Sequence, residues 1–523
     1  MADAKQLEKE ALQRLADAKR QKSHVDTDLR EAYYFTAPRR SRDVTSSSSG
    51  ADSKPNDAGD LQISLGMEVA QDFATEMLNT FMPETIRWAD QKAGVDVDED
   101  AADDLNDRIG GQTKVIFDAI KSSNFYSAAA QSFMPDLATG TSALWIDDLR
   151  ATEPFMCLPV PLRELEINVG PYGEVDDRFV VRHTRYRHLP ALLKGVALPT
   201  DIQDKIDKKG GDRCIVTWGW WRLWDRNDDV YWQAIVMVGN RLVDDAVLKG
   251  EGACPLLVAR FNPDPMFAFG DGPSLQSLPE LRMLDEMSAL EIEAFDFRVH
   301  KPFFYPDDGV INLENGIEPG MGYKARPWTG AGRPFELMDF GDGTNVEEYK
   351  IAKVESRIRR LFFVDYPEQA GKTPPTAEQW MDEMQRAKRR IGTPGKIFFK
   401  EGPAEVFKRF KHLLEERGTI EPVKINGKTI ALTPYDPTEQ AQEFQETQIA
   451  GRLLQIGQAN FPQIMQAVVD PIKTLNNFKR KFRDEIVVVR EEKEIAGAIN
   501  QLAPLLGGGA GGGGMPPTGG AQA

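Results

Sequence analysis

Two Gly-Lys-Thr triplets, Gly371-Lys372-Thr373 and Gly427-Lys428-Thr429, are the nearest approach in the sequence to a nucleotide-binding loop. A phosphate cradle needs a further glycine five positions ahead of each triplet, because only close backbone N–H groups wrap a phosphate. Tyr366 and Pro422 occupy those positions, and neither triplet links a buried strand to a long helix. The acidic run Asp96-Val97-Asp98-Glu99-Asp100 opens like a calcium loop, with Asp107 at the twelfth place. Ala101 stands where the sharp turn needs glycine, and an aspartate is too short for the usual bidentate glutamate. An acidic helix N-terminus, favoured by the helix dipole, accounts for the run instead. Of five histidines only His183 and His188 are close, and an intervening strand would turn them to opposite sides. Cys157, Cys214 and Cys254 are too scattered for a disulfide framework or a thiolate zinc site and read as buried thiols. No Ser/His/Asp or HExxH pattern is present, so catalysis has no residues to carry it, and no metal or cofactor is implied.

Basic side chains cluster in three places: Arg357, Arg359 and Arg360; Arg386, Lys388, Arg389 and Arg390; and Lys479, Arg480, Lys481 and Arg483. Each reads either as a solvated helix face paired with nearby carboxylates or as a contact for passing DNA phosphate. The whole chain argues against tight DNA binding, since 64 Lys and Arg against 81 Asp and Glu leave a net charge of −17. A channel wall that lets a polyanion slide would suit that balance. Length sets the next bound, because 523 residues imply two to four packing units. Hydrophobic residues at 41% and charged residues at 28% are enough for a real core. No run approaches the ~20 apolar residues of a membrane span, and the charged, helical start lacks a signal-peptide core, so the chain is expected to be made and kept in the cytoplasm.

The elements alternate in a definite order. Leu7, Leu12, Leu15 and Ala18 are spaced for an amphipathic helix over 5–35, followed by a serine-rich loop over 39–60. Helical spacing returns over 64–81 and 103–122, and from Ser142 to about Arg260 the chain is β-rich, as in Ile215-Val216-Thr217-Trp218-Gly219-Trp220-Trp221. Gly272-Pro273 opens another helix, whose apolar stripe is Leu278, Leu281, Leu284, Met287, Leu290 and Ile292. A Gly/Pro-rich stretch over 302–343 contains a strand-like piece at 335–338, and a helix over 346–362 and a polar loop follow. A long helix opens at Thr376, is kinked or broken by Ile391-Gly392-Thr393-Pro394-Gly395, and stops at Gly418. Asn426-Gly427 fits a two-residue hairpin turn over 422–432, the chain is helical over 438–503, and a Gly-rich tail closes it.

A helical and β-rich body, one helix, an irregular insert, a second helix, a polar loop and a long kinked helix form an order that resembles the portal proteins of tailed phages. Local motifs bring the resemblance to the connectors of short-tailed phages. They include Tyr33-Tyr34-Phe35-Thr36-Ala37-Pro38, Met77-Leu78-Asn79-Thr80-Phe81-Met82-Pro83 with Arg87-Trp88, and Ser123-Asn124-Phe125-Tyr126. Further along come Thr139-Gly140-Thr141-Ser142-Ala143-Leu144, Gly173-Glu174-Val175-Asp176, Cys254-Pro255 with Arg260, Thr376-Ala377-Glu378 and Tyr435-Asp436-Pro437. Phe269-Gly270-Asp271-Gly272 departs from the family pattern, which more often has Tyr-Gly-Arg-Gly. The shared order extends over about residues 5–500.

The resemblance implies an α+β portal fold assembling as a ring of twelve at one capsid vertex. Its parts would be a wing over 1–272, a first stem helix over 273–300, a clip over 301–343 and a second stem helix over 344–362. A tunnel loop over 363–375 would follow, then the long kinked wing helix and hairpin over 376–437, a crown over 438–503 and a disordered tail over 504–523. Asp365, Tyr366, Gln369, Lys372 and Thr373 would face the channel, with Arg357, Arg359, Arg360, Arg386, Lys388 and Arg389 as further DNA-facing groups. Implied partners are double-stranded DNA passing without sequence specificity, the terminase large subunit, a tail adaptor, and the major capsid and scaffolding proteins. The function implied is mechanical: DNA packaging, retention and ejection, with ATP hydrolysis left to the terminase. The competing assignment is another virion component, such as a tail adaptor or internal ejection protein, which would lack the order of elements over 273–417. A terminase or nuclease would need a phosphate loop or carboxylate metal cluster.

Overall fold

The computed structural model describes residues 2–39, 61–94, 96–97, 99–148, 154–226, 229–301, 303–306, 322–325, 336–337, 344–364, 391–422, 430–434, 449–456 and 474. They fall in two units, Met1–Pro434 and Tyr435–Ala523. The first opens with helix α1 (Ala2–Thr36), then α2 (Leu65–Phe81), strand β1 (Ala89–Ala93), α3 (Glu99–Ser122) and α4 (Phe125–Phe133). Strands β2 (Thr141–Asp147), β3 (Met156–Pro159), β4 (Leu165–Val169) and β5 (Val175–Arg185) precede two short helices, α5 (Leu189–Leu192) and α6 (Thr200–Lys209). Next come β6 (Arg213–Arg222), β7 (Tyr231–Val238), β8 (Arg241–Lys249) and β9 (Leu256–Arg260), then α7 (Pro273–Gln276) and α8 (Leu278–Val299). The remaining elements are β10 (Phe303–Pro306), β11 (Gly322–Ala325), β12 (Glu336–Leu337), α9 (Thr344–Leu361), α10 (Gly392–Glu401), α11 (Pro403–Glu416) and β13 (Ile430–Pro434).

The β-rich stretch folds mainly as an antiparallel meander, β4-β5-β6-β7-β8. Its two faces are read directly from β6, since successive side chains of a strand point to opposite sides. Val216, Trp218 and Trp220 turn into one apolar cluster, where Trp145 meets Trp218 and Trp220 edge-on at 5.2 and 5.1 Å. Trp221 turns to the other face with Phe179, Val181, Ile235 and Met237, and is covered there by Ala11, Leu15 and Ala18 of α1. Gly219 belongs to this second face, and a Cβ there would lie 2.5 Å from the Phe179 ring, so glycine makes room for the aromatic. A sheet buried on both sides needs apolar residues at both parities, which β6 supplies.

A second sheet, β3-β2-β9, joins that body to the helices. Phe125, Phe133, Phe398, Phe407 and Phe410 are buried in the same body. Each such ring stabilises the fold by roughly 1.5–3 kcal/mol. All three cysteines are free and buried, as their spacing suggests, and burial pushes the Cys157 thiol up to about 12. The acidic run ends in the first turn of α3.

α10 begins at Gly392, within the expected interruption over 391–395, and Pro394 sits in its first turn, where the missing N–H has no partner to lose. A break not expected from the sequence falls between α10 and α11 at Gly402, where a Cβ would approach Ala259 to 3.0 Å. β13 pairs antiparallel with β1, some 340 residues earlier, with Ala89 opposite Pro434. The other arm of the expected hairpin lies outside the described residues, as does the start of the long helix at Thr376. In the second unit, residues 449–456 are helical. Among the described residues, no helix is long and apolar enough to cross a membrane.

Candidate functional site

The segment singled out by the order of elements is the pair α8 and α9, which pack together and lead to and from the insert. The base of α8 is fixed by three glycines at one crossing. Gly140 adopts φ 111°, a conformation that disfavours side chains, and its carbonyl accepts the Phe261 N–H at 2.8 Å. A Cβ on Gly140 would sit 2.4 Å from the Gly270 oxygen, and one on Gly272 would sit 2.3 Å from the Gly140 nitrogen. Only backbone fits between them. Pro273 then occupies the first position of α7, and Asp271 accepts the Gln276 side-chain N–H at 2.9 Å, so the family-divergent aspartate braces this first turn.

Leu278, Leu281 and Leu284 bury the first turns of α8 in the body. At 100° per residue, Ile292, Phe295 and Val299 continue the Leu281 and Leu284 face, but they are exposed. Met283, Met287 and Leu290 form a second stripe on nearly the opposite side, with Met283 and Leu290 exposed. The helix is therefore not apolar on one side and charged on the other. It carries two apolar stripes separated by Glu286 and Glu293 on one flank and Glu291 on the other.

α9 is anchored where it rejoins the body. Val354, Ile358 and Phe362 are buried, and Phe73 meets Phe362 edge-on at 6.4 Å and Phe261 at 5.5 Å. Arg357 lies 3.0 Å from Glu280 of α8 and Arg359 lies 3.7 Å from Glu68 of α2, while Arg360 is exposed. Two of these three basic groups are thus paired with carboxylates across helices. On the far side of α8, Arg282 grips Glu31 of α1 through both guanidinium arms, and this hydrogen bonding holds the Glu31 carboxyl below its ordinary value. Asp365, Tyr366, Gln369, Lys372, Thr373, Arg386, Lys388 and Arg389 lie outside the described residues.

Some of the most consequential polar groups went unnoticed in the sequence. Arg409, 4% exposed, donates to the carbonyls of Ile146, Gly252 and Ala253 at 2.9, 3.1 and 2.9 Å and so clamps α11 to the sheet. Lys22 in α1 donates to the carbonyls of Leu162 and Leu165 at 2.7 and 2.9 Å and to Glu166 at 3.2 Å. Their types gave no signal, since each sits among other charges along the chain. Among the described residues, no three His, Cys, Asp or Glu side chains converge as metal ligands.

Comparison with known proteins places this arrangement. None of the curated proteins matches the chain. Among solved structures, it is similar to a chain of the virion of the native gene transfer agent particle, at 12% identity and TM-score 0.37, covering 79% of this chain and 89% of that one. It is also similar to a chain in the neck of the empty particle, at 12% identity and TM-score 0.38, covering 79% and 90%. Likenesses this distant carry no functional weight. The model of the bacteriophage head to tail connecting protein family, by contrast, matches residues 8–486, nearly the whole sequence. The chain belongs to that family of structural virion components at the junction of phage head and tail.

Proposed function

We propose that this connector is the portal subunit of a short-tailed phage, closing with copies of itself into a ring of twelve at one capsid vertex. The observation that carries this reading is the pair of opposed apolar stripes on α8. In a closed head-to-tail ring every subunit presents two different faces, one to each neighbour. A helix with Leu290 on one side and Ile292, Phe295 and Val299 on the other, all exposed in a single chain, is built for two neighbours. In this reading α8 and α9 are the stem, 301–343 the clip, 363–375 the tunnel loop, 376–437 the wing helix and hairpin, and 438–503 the crown. DNA enters, is held and leaves through the channel. The clip receives the terminase large subunit and then the tail adaptor, and the wing meets capsid and scaffold.

Negative-stain microscopy with mass from light scattering tests the reading. Rings with a central hole and a mass near twelve times 58.5 kDa are expected. A compact small oligomer without a hole would favour a tail adaptor. Lys372→Glu, which puts a carboxylate on each copy of the tunnel loop, should lower the yield of DNA-filled heads while rings still form. Unchanged filling would remove Lys372 from the channel.

A further inference from the structure

Away from α8, four large side chains stand out into solvent on neighbouring loops. Tyr172 is 76% exposed, Met266 78%, Phe267 50% and Trp224 37%. Scattered exposed apolar groups need no explanation, but a contiguous set does. These are contiguous: Tyr172 packs edge-on against Trp224 at 5.0 Å, and a Cβ on Gly173 would lie 3.6 Å from Pro265, which precedes Met266. They are also held in place. The Asp264 side chain accepts the Met266 N–H at 2.8 Å, and buried Arg260 donates to the carbonyls of Phe267 at 3.3 Å and Gly173 at 2.8 Å. One guanidinium ties both loops.

Trp224 and Pro171 also line a cavity of about 500 Å3 beside this patch. Its walls set four carboxylates, Glu10, Asp17, Asp176 and Asp177, against two guanidiniums, Arg14 and Arg222. Both guanidiniums are engaged: Arg14 lies 2.9 Å from Glu10 and from Asp177, and Arg222 stacks on Trp224 at 4.1 Å. Asp176, 6% exposed, accepts the Trp224 indole N–H at 2.7 Å, and Arg222 and Arg178 act on it through space rather than in a direct ion pair. A buried carboxylate in an aromatic-edged, net-negative hollow favours a cation. It repels nucleic acid and anionic lipid alike.

We propose that this face docks a partner protein through a segment that places a lysine or arginine in the cavity and an apolar side chain over Tyr172, Met266 and Phe267. The patch outside the cavity separates this from the capture of a free small cation, which would leave it uncovered. The proposal is independent of ring formation.

The test uses the full chain and two fluorescent amphipathic peptides, one alternating arginine with leucine and the other glutamate with leucine, followed by anisotropy. The arginine peptide should bind at least about tenfold more tightly than the glutamate peptide. An acidic chain could show that much anywhere on its surface, so variants localise it. Tyr172→Ser with Met266→Ser should weaken the arginine peptide about tenfold, the scale of an interface anchor. Asp176→Asn should weaken it while leaving the glutamate peptide unaffected. The exposed pair leaves folding intact, as circular dichroism will show, so a fault in the Asp176 variant would not decide the matter. Equal binding of the two peptides, or undiminished binding by the exposed-pair variant, would overturn the proposal. So would a change in self-association by sedimentation with peptide binding unaltered, since the face would then lie between copies of this chain.

Discussion

Arg260, 1% exposed, spends its guanidinium on both oxygens of Glu401 and on the carbonyls of Gly173 and Phe267. Removing one partner of such a pair leaves the other charge and two carbonyls short of donors, at a cost of roughly 3–5 kcal/mol. Arg260→Met should lower the unfolding free energy by about that much in denaturant titration, and Arg260→Met with Glu401→Leu should recover part of it. A single-variant loss below about 1 kcal/mol would mean the pair is solvated rather than structural. His412 gives a pH signature of definite sign. Burial lowers its pKa below the ordinary 6.5 despite Glu416 at 3.3 Å, and His183 shifts the same way. Between the lowered folded value and 6.5 the unfolded chain holds more protons, so stability is full above that window and is lost as pH falls through it. His412→Gln should flatten the fall in melting temperature between neutral pH and about pH 5; an unchanged slope would clear His412 of the effect. This scale was the least legible in the sequence. Lys22 lies between Gln21 and Ser23 in a charged helix, and what buries it is a chain segment 140 residues away.

At the scale of elements, periodicity served well where burial is one-sided. The bounds of α1, α2 and α9 follow from apolar spacing, and α2 keeps Val69, Phe73 and Met77 inside as that spacing requires. It failed where two periodic patterns overlap. On α8 the run from Leu278 to Ile292 looks like one stripe until the turns are laid out, when Met283, Met287 and Leu290 separate from Leu281, Leu284 and Ile292. The β1–β13 pair was also beyond reach, since nothing local ties Ala89–Ala93 to a strand so far along the chain. The two-stripe geometry predicts that Leu290→Asp and Phe295→Asp each block ring closure by sedimentation, because a buried unpaired carboxylate at an interface is costly. Each chain should stay folded, since both positions are solvent-exposed in the single subunit. Rings formed by either variant would show that the corresponding stripe faces solvent.

The whole molecule was legible through the order of its parts more than through any one residue. Weak motifs from Tyr33 to Tyr435 fall in a shared sequence, and the family match over 8–486 follows the same span. α1 is the part whose reach exceeds its local description. Its 35 residues extend about 50 Å at 1.5 Å each. Along that length Glu8 accepts the Leu242 N–H of β8 at 3.1 Å, Arg14 holds Asp177 of β5, Lys22 holds Glu166 of β4, and Glu31 holds Arg282 of α8. One rod is thus fastened at successive points to both edge strands of the sheet, to its inner strand β5 and to the root of the α8–α9 pair. Regions fastened to a common rod lose their freedom to open separately. Amide hydrogens of β5, α1 and the first turns of α8 should therefore exchange with a single free energy and a common denaturant dependence. Glu31→Gln with Arg282→Gln should split that one opening into two, turning a body that yields all at once into one that yields in stages.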